Sequence, residues 1–142
     1  MKPCRGSINF EFRFHHIGFA VHRMDNILIT SKKFPMVELL SDIVFDPQQN
    51  VDLVLAKIGQ LTIELVCGEK VSRFVSERNK LAFYHLCYEV KDFDSFIKEY
   101  SNIKGVILAS HPQPAVLFDQ RRFSFFMVKD FGLIEILEDN KK

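Results

Sequence analysis

The same short pattern occurs twice in this chain, and the repeat limits the folds open to it. The segment FHHIGFAVHRMD begins at Phe14, and the segment FYHLCYEVKDFD begins at Phe83. Each has a histidine in its third position, and 69 residues separate the first, His16, from the second, His85. Repetition at a fixed spacing indicates duplicated supersecondary modules, and two copies favour a pair of modules over a solenoid, which needs about three repeats for stability.

A short apolar segment with a single glutamate follows each histidine at nearly the same distance. Glu64 lies in TIELV, 48 residues after His16. Glu135 lies in LIEIL, 50 residues after His85. Each half of the chain therefore carries one histidine and one glutamate in equivalent places.

Hydrophobic alternation and turn residues divide each half into one strand, one helix and three further strands. In the first half we predict a helix over 26–34 and strands over 12–21, 41–46, 51–58 and 60–67. In the second half we predict a helix over 92–102 and strands over 82–90, 105–110, 121–128 and 133–139. The sequence thus predicts an α+β fold in which two tandem βαβββ modules, about 12–67 and about 82–139, form a single domain over 1–142.

The alternation of side chains along a strand places the repeated residues on one face of the predicted sheet. Apolar neighbours such as Ile17 and Leu86 take the face that packs under the helices. His16, Glu64, His85 and Glu135 then take the opposite face. Two modules edge to edge would form a cup-shaped mixed sheet with the helices outside and these four polar groups inside.

A buried carboxylate without a partner costs several kcal/mol, so glutamates within apolar strands require a positive partner. Neither Glu64 nor Glu135 has an adjacent lysine or arginine. Two imidazoles and two carboxylates suit a divalent transition metal. A single strand histidine is more often a hydrogen-bonded core residue, and a single strand glutamate usually faces solvent. The duplicated spacing favours the metal site over that alternative.

Composition and charge exclude several classes of protein. The net charge of +1 gives no electrostatic basis for binding nucleic acid. No apolar run approaches the roughly 18–20 residues that a membrane-spanning helix needs, and the first residues lack the apolar segment of a signal peptide. Three cysteines without CxxC spacing indicate reduced thiols. We therefore expect a cytoplasmic protein without nucleic-acid or membrane partners.

Four separated segments resemble the vicinal oxygen chelate superfamily, the glyoxalase and bleomycin-resistance fold, and most of all its methylmalonyl-CoA epimerase-like members. They are HHIGFAV (15–21), IELV (63–66), YHLCYEV (84–90) and LIEILE (133–138). The resemblance implies a homodimer and one divalent metal ion (Ni, Co, Zn, Mn or Fe). It assigns the ligand roles to His16, Glu64, His85 and Glu135.

The resemblance implies a lyase or isomerase that stabilises the enolate of a small α-carbonyl, thioester or hemithioacetal substrate. Glu135 is the expected catalytic base, because in relatives the ligand from the last strand can also move the proton. Arg122 and Gln48 are the expected substrate-binding residues. Two alternatives remain: a small-molecule binding protein without turnover, and a ring-cleaving dioxygenase-like enzyme, which would use two histidines and only one carboxylate.

One position departs from the epimerase pattern. Epimerases of this superfamily carry a glutamate base in the turn before the third strand, where this chain has Gln48, Gln49 and Asn50. A glutamine side chain cannot accept a proton as a carboxylate does. The sequence therefore favours the metal site without specifying epimerisation. We expect Cys87 to line the cup, and His15 and His111 to be surface residues.

Overall fold

The computed structural model describes residues 11–140, so Cys4 lies outside the described part of the chain. Within this range the chain forms ten strands and two α-helices. The first half contains β1 (Phe12–Val21), α1 (Met24–Ser31), β2 (Val37–Leu39), β3 (Val44–Asp46), β4 (Val51–Ile58) and β5 (Leu61–Cys67). A 3-10 helix over Glu69–Phe74, here named the linker helix, precedes the second half. That half contains β6 (Leu81–Val90), α2 (Phe93–Tyr100), β7 (Val106–Leu108), β8 (Gln113–Pro114), β9 (Arg122–Val128) and β10 (Gly132–Glu138).

All ten strands belong to one open, mixed sheet, which confirms the predicted α+β class. Eight strands follow the order β2-β4-β5-β1-β6-β10-β9-β7, while β3 also pairs with β4 and β8 also pairs with β9. The first strands of the two halves, β1 and β6, pair antiparallel at the centre. On either side of them, β5 runs parallel to β1 and β10 runs parallel to β6. The two halves are therefore joined along the β1–β6 seam.

The structure contains ten strands where the sequence predicted eight. The strand predicted over 41–46 is shortened to β3, and β2 is an additional strand that precedes the predicted range. These two three-residue strands pair with opposite ends of β4. Between them the Ser41 hydroxyl accepts a hydrogen bond from the backbone N–H of Leu55 at 2.9 Å. This side chain takes the place of a backbone partner and interrupts the ladder. The other additional strand is β8, a two-residue bridge in the loop before β9.

The first helix begins and ends earlier than the predicted range of 26–34. It ends at Ser31, whose hydroxyl donates to the carbonyl oxygen of Leu28 at 2.9 Å, and the chain then turns instead of continuing as a helix. Met24 of α1 packs against Val21 and Ile63 of the sheet. Residues 11–140 contain no helix with the length and apolar character needed to span a membrane.

The second helix covers the same face of the sheet as α1. Phe93 and Phe96 are buried against Phe126 and Ile136. With both helices on one face, the opposite face is left for other groups, as the strand alternation predicted. We call this opposite face the cup face.

A loop over 115–121 lies across the cup face and is fixed there by an ion-pair network. Arg121 donates from Nη1 to Glu89 Oε2 at 2.6 Å and to the carbonyl oxygen of Glu138 at 3.0 Å. Arg13 donates from Nη2 to the other oxygen of Glu89 at 2.8 Å. Burial alone would raise the pKa of Glu89, but the hydrogen bonds from Arg121 and Arg13 outweigh it and lower that pKa. Glu89 therefore links the loop to the sheet as a carboxylate.

We predict that Glu89→Gln lowers the free energy of unfolding at pH 7 by about 1–3 kcal/mol, because two arginines lose a charged acceptor. The pKa of Glu89 is lower in the folded protein than its ordinary value of 4.5. The stabilisation from its two ion pairs is therefore fully present above pH 4.5 and is lost as the pH falls through the folded-state pKa. Urea unfolding from pH 7 down to pH 3 measures the difference. Asp25→Asn, which removes an exposed partner of Arg23, is the control and should change little. A Glu89→Gln deficit that stays constant down to pH 3 would contradict the assignment.

Candidate metal centre

Four buried side chains from four neighbouring strands converge on the cup face. The Nε2 atoms of His16 and His85 lie 3.2 Å apart. Glu135 Oε1 lies 3.2 Å from Nε2 of His16 and 3.0 Å from Nε2 of His85. Glu64 Oε1 lies 3.7 Å from the first of these nitrogens and 3.5 Å from the second. These are the four residues that the repeat singled out.

The strand register explains why the four side chains meet. Gly18 of β1 lies between Glu64 on β5 and His85 on β6. In the equivalent arrangement, Cys87 of β6 lies between His16 on β1 and Glu135 on β10. Each central position is therefore flanked by one imidazole and one carboxylate. The two halves of the chain contribute equivalent residues to the site, one imidazole and one carboxylate from each side of the β1–β6 seam.

A register shift precedes each of these histidines in the β1–β6 pairing. His15 falls between the paired residues Phe14 and His16, and Tyr84 falls between Phe83 and His85. Such bulges redirect side chains and are common beside functional sites. As a result, the residue before each histidine packs edge-on against it, with ring centroids 5.0 Å apart in the first pair and 4.9 Å apart in the second. Strict alternation along the sequence could not predict these contacts.

The absence of a side chain at Gly18 makes room for the His85 ring. A Cβ atom at Gly18 would lie 2.2 Å from Cε1 of His85 and 2.4 Å from its Nδ1. Real Cβ atoms essentially never come so close to a neighbour, so any larger residue would displace the imidazole. Gly18 is thus a structural requirement of the site, and the sequence analysis did not identify it as one.

The electrostatics of the quartet depend on a positive partner for the carboxylates. Burial lowers the pKa of His16, but the contacts with Glu135 and Glu64 outweigh burial and raise it to about 10. Burial would raise the pKa of Glu135, yet His85 and His16 hold it below its usual value. The carboxylates are therefore compensated by a proton on His16 or, in its place, by a metal cation.

His15 contacts the back of the His16 ring. The Nδ1 atoms of the two residues lie 2.8 Å apart. Burial, followed by the neighbouring His16, lowers the pKa of His15 to about 4, so its ring is neutral and can accept a hydrogen bond from Nδ1–H of His16. That bond leaves Nε2 of His16 directed at the quartet, as is typical of metal-binding histidines. His15 is half-buried, whereas the sequence analysis expected a surface residue.

The donor set and its spacing fit a divalent transition metal. Ligand atoms about 2.1 Å from an ion lie roughly 3.0 Å apart along the edges of an octahedron and roughly 3.4 Å apart along those of a tetrahedron. The donor separations given above run from 3.0 to 3.7 Å. In addition, although both imidazole nitrogens lie within 3.2 Å of the buried Oε1 of Glu135, no donor among residues 11–140 forms a well-aligned hydrogen bond with it, which leaves this oxygen available to an ion. The spacing of the quartet is thus compatible with a set of metal ligands.

Cys87 is also near His15 and His16, and those three residues are a second possible ligand group. Burial, together with the neighbouring carboxylates, raises the pKa of the Cys87 thiol well above its ordinary value. A protonated thiol is a poor metal ligand. The quartet is therefore the better candidate, and Cys87 contributes to the apolar wall of the cup.

The loop over 115–121 covers the quartet. Its Phe118 ring stacks on His16 with centroids 5.3 Å apart. Beneath the loop, Glu64 and Glu135 line a cavity of only about 10 Å³, together with Asp46 and Gln49. A space of this size holds about one water molecule. In this conformation the candidate metal centre is enclosed, with no room for a molecule much larger than water.

The two predicted substrate-binding residues lie away from this cavity. Gln48 is exposed, and its neighbour Gln49 faces the cavity instead. Arg122 lies on the helix face, where it pairs with Asp94 at 2.9 Å and with Glu138 at 2.9 Å. His111 is exposed.

Asp46 is a buried cavity residue that the sequence analysis did not single out. Its Oδ1 accepts hydrogen bonds from the backbone N–H groups of Gln48 at 2.9 Å and Gln49 at 3.3 Å. Its Oδ2 accepts from Nε2 of Gln49 at 2.8 Å. Both oxygens are thus engaged in holding the turn. The segment DPQQN indicated a turn here, but the direction of the aspartate side chain could not be read from it.

Comparison with known proteins places this geometry in a recognised context. The sequence model of the Glyoxalase/Bleomycin resistance protein/Dioxygenase superfamily matches residues 15–125, which include three of the four quartet residues. A search of curated protein sequences gives no significant match.

Several solved structures are similar to this chain. Methylmalonyl-CoA epimerase from Mycobacterium tuberculosis is 20% identical, with a TM-score of 0.71 over 90% of this chain and 88% of that one. A hypothetical protein from Bacillus halodurans C-125 is 23% identical, with a TM-score of 0.73 over 92% and 96% of the two chains. A methylmalonyl-CoA epimerase variant from Streptomyces coelicolor, in complex with 2-nitronate-propionyl-CoA, is 20% identical, with a TM-score of 0.71 over 90% and 94%. At these identities the similarity establishes the fold alone.

We predict that the chain binds about one divalent transition ion and that His85→Ala weakens binding by at least roughly tenfold, because one directed nitrogen donor is lost. Titration calorimetry with Zn²⁺, Ni²⁺ and Co²⁺ measures the affinity. His111→Ala, at an exposed histidine outside the quartet, is the matched control and should bind as the wild type does. Equal affinities in the wild type and in His85→Ala would show that His85 is only a core residue.

A second prediction concerns the space above Gly18. Gly18→Ala should lower the free energy of unfolding by about 1–3 kcal/mol through overpacking and should weaken metal binding by displacing the His85 ring. The double variant Gly18→Ala/His85→Ala should be more stable than Gly18→Ala alone, since the small residue at 85 relieves the clash, while metal binding stays weak. Thermal unfolding and calorimetry measure both quantities. Wild-type stability and affinity in Gly18→Ala would mean that the strand adjusts at no cost.

Proposed function

Because this chain belongs to the glyoxalase/bleomycin resistance protein/dioxygenase superfamily, we propose that it is a metal-dependent enzyme of the isomerase or lyase type. Its reaction would be proton transfer at a carbon next to a carbonyl group. The observation that carries this proposal is the convergence of His16, Glu64, His85 and Glu135 in one buried cluster. The two imidazole nitrogens lie 3.0–3.7 Å from the carboxylate oxygens, and all four ligand atoms lie within 4.8 Å of one another, as in a preorganised ligand set.

In this proposal the four residues hold one divalent ion, and each half of the chain supplies an imidazole and a carboxylate. When bound, such an ion polarises neighbouring oxygens of a substrate and stabilises the negative charge of an enolate. The protein's own contribution is to fix the ligands. His15 orients the His16 ring, Gly18 makes room for the His85 ring, and Phe118 covers the cluster.

Glu135 is the proposed base that moves the proton. Its carboxylate is buried and is held in the ionised form by the two imidazoles, so it can accept a proton at neutral pH. A general base must also reach the reacting carbon, and Glu135 lines the cavity in which a substrate oxygen or carbon would meet the cluster.

Apart from the quartet carboxylates, the described residues that line this cavity include no carboxylate free of hydrogen bonds. Gln49 presents an amide, and Gln48 is exposed. Asp46 is a carboxylate, but three hydrogen bonds from the turn occupy its oxygens. We therefore propose proton transfer on a single face of the substrate carbon, which suits an isomerase or lyase that returns the proton from the side on which it was taken.

A binding protein without turnover is the second candidate function. Like the enzyme, it requires the small cavity of about 10 Å³ to open for its ligand, but it needs no group that moves a proton. A ring-cleaving dioxygenase-like enzyme is less favoured, because four protein groups meet here and such enzymes use three. The first two candidates differ in whether the protein exchanges a substrate proton.

We predict that the metal-loaded protein exchanges with solvent the α-proton of 2-methylmalonyl-CoA or that of the hemithioacetal of methylglyoxal and glutathione. It should not racemise 2-methylmalonyl-CoA. Exchange in deuterated water is followed by proton NMR, and racemisation by optical rotation. Glu135→Gln should reduce exchange by roughly 10²–10⁴-fold, the usual contribution of a general base. Gln48→Glu and Asp46→Asn test whether either position supplies a second base.

The outcomes separate the candidates. If the wild type exchanges the proton and Glu135→Gln does not, the result supports the enzyme. If the metal-loaded wild type exchanges no proton with either substrate, the result supports the binding protein. Rapid racemisation by the wild type would overturn the single-face proposal, and its loss in Asp46→Asn would identify the second base. His111→Ala serves as the unaffected control.

A further inference from the structure

A second, larger cavity lies beside the closed metal centre. It is a cleft of about 510 Å³ between the linker helix and the hairpin formed by β9 and β10. Its walls are mostly apolar, and its aromatic lining includes Phe74, Tyr84, Phe125 and Phe131. Two cationic residues of the linker helix, Lys70 and Arg73, also line it. Because the cup itself is too small for a substrate, the cleft provides the nearest space for one.

The two cations of the cleft have no carboxylate partner among residues 11–140. Lys70 donates from Nζ to the amide oxygen of Gln49 at 3.0 Å, and its ammonium group lies 5.4 Å from the centre of the Phe125 ring. The guanidinium of Arg73 lies 4.5 Å from the centre of the Phe74 ring. By contrast, four other arginines form ion pairs with acidic residues: Arg13, Arg23, Arg121 and Arg122. Lys70 and Arg73 are therefore available to an external anion.

The cleft borders the metal centre through shared residues. Phe125 and Tyr84 both pack edge-on against His85, with ring centroids 5.2 Å and 4.9 Å away. Gln49, the partner of Lys70, lines the small cavity beside Glu64 and Glu135. The hydrogen bond between Lys70 and Gln49 thus separates the cleft from the cup. Partial burial lowers the pKa of Lys70, and an anion would be a better partner for its ammonium group than a neutral amide.

We propose that this cleft is an anion-binding subsite in which Lys70 and Arg73 bind a carboxylate or phosphate attached to an apolar or aromatic group. The apolar part packs on Tyr84 and Phe125. Identifying the cleft as the outer part of the substrate site rests on the proposed function. The anion site itself does not, since it needs neither metal nor turnover. An anion that binds Lys70 would also break the hydrogen bond between Lys70 and Gln49. Because Gln49 lines the small cavity in the cup, binding in the cleft would then change the wall of that cavity.

The test uses the metal-free chain of 142 residues and three probes of similar shape. These are 1-naphthyl phosphate, 1-naphthoate and the neutral 1-naphthylmethanol, each titrated and followed by ¹⁵N–¹H NMR. We expect the two anions to bind at least roughly tenfold more tightly than the neutral probe, because charge-assisted hydrogen bonds add to the stacking. The shifts should centre on Phe125, Met127 and Phe131, and the side-chain amide of Gln49 should shift with them. The ratio of the two anion affinities distinguishes a phosphate from a carboxylate site.

Variants assign the binding to the two cations. Lys70→Gln and Arg73→Gln should each weaken anion binding by roughly tenfold and leave the neutral probe unchanged. Arg78→Gln, at an exposed arginine that follows the linker helix, is the matched control for Arg73→Gln. Lys33→Gln, at an exposed lysine that follows α1, is the control for Lys70→Gln. Each control should bind the anions as the wild type does.

Three results would overturn the proposal: equal affinity for the neutral and anionic probes, unchanged binding in both Lys70→Gln and Arg73→Gln, or shifts that map outside the cleft. The link to the metal centre has its own readout. With Mn²⁺ bound, protons of a probe in the cleft should relax faster than in the metal-free protein. Anion binding without this relaxation, in a protein that binds Mn²⁺, would separate the cleft from the active site. Failure to bind Mn²⁺ would count against the proposed function and leave the anion site standing.

Discussion

The candidate site depends on the antiparallel pairing of β1 with β6. This seam joins the two halves and sets Gly18 opposite His85 and His16 opposite Cys87. The neighbouring parallel strands then bring one glutamate to each side. A shift of one residue would turn each histidine toward the helices, because side chains alternate between the faces of a strand. The quartet therefore exists only while the two modules keep this register, which makes the site a property of the paired halves and not of either one alone.

The symmetry of the seam is broken where the two halves differ chemically. His15 and Tyr84 occupy equivalent bulges, and each packs edge-on against the following histidine. His15 contacts Nδ1 of His16, whereas Nδ1 of His85 is buried and has no hydrogen-bond partner among residues 11–140. One imidazole is therefore oriented by a hydrogen bond and the other by packing. The rings that pack against His85 include Tyr84 and Phe125, which also line the adjoining cleft, so the orientation of His85 depends on the walls of that cleft.

The sequence contained the information for the fold class and for the convergence of the quartet, because both depend on a repeat and on strand alternation. It did not reveal features that depend on tertiary geometry. The bulges at His15 and Tyr84 break the alternation without any local signal. The strand predicted over 41–46 begins only at Val44, and Ser41 instead accepts a side-chain hydrogen bond from the backbone N–H of Leu55. Alternation did place Arg122 on the face of Phe126, but only the structure shows its ion pairs. Turn direction likewise decided that Gln49, and not Gln48, faces the cavity.

Two contacts close the metal centre, and they differ in strength. On one side, Arg121 holds the covering loop through a 2.6 Å ion pair with Glu89, a carboxylate that also binds Arg13. On the other side, Lys70 reaches only the neutral amide of Gln49. A hydrogen bond between a charged and a neutral group is weaker than one between opposite charges, so the Lys70 side is the less costly to open. That side faces the large aromatic cleft. A ligand that offers Lys70 a better acceptor would thus break the hydrogen bond between Lys70 and Gln49 and leave the ion pair between Arg121 and Glu89 intact. Phe118 would still cover the quartet, while the wall that Gln49 forms would become accessible.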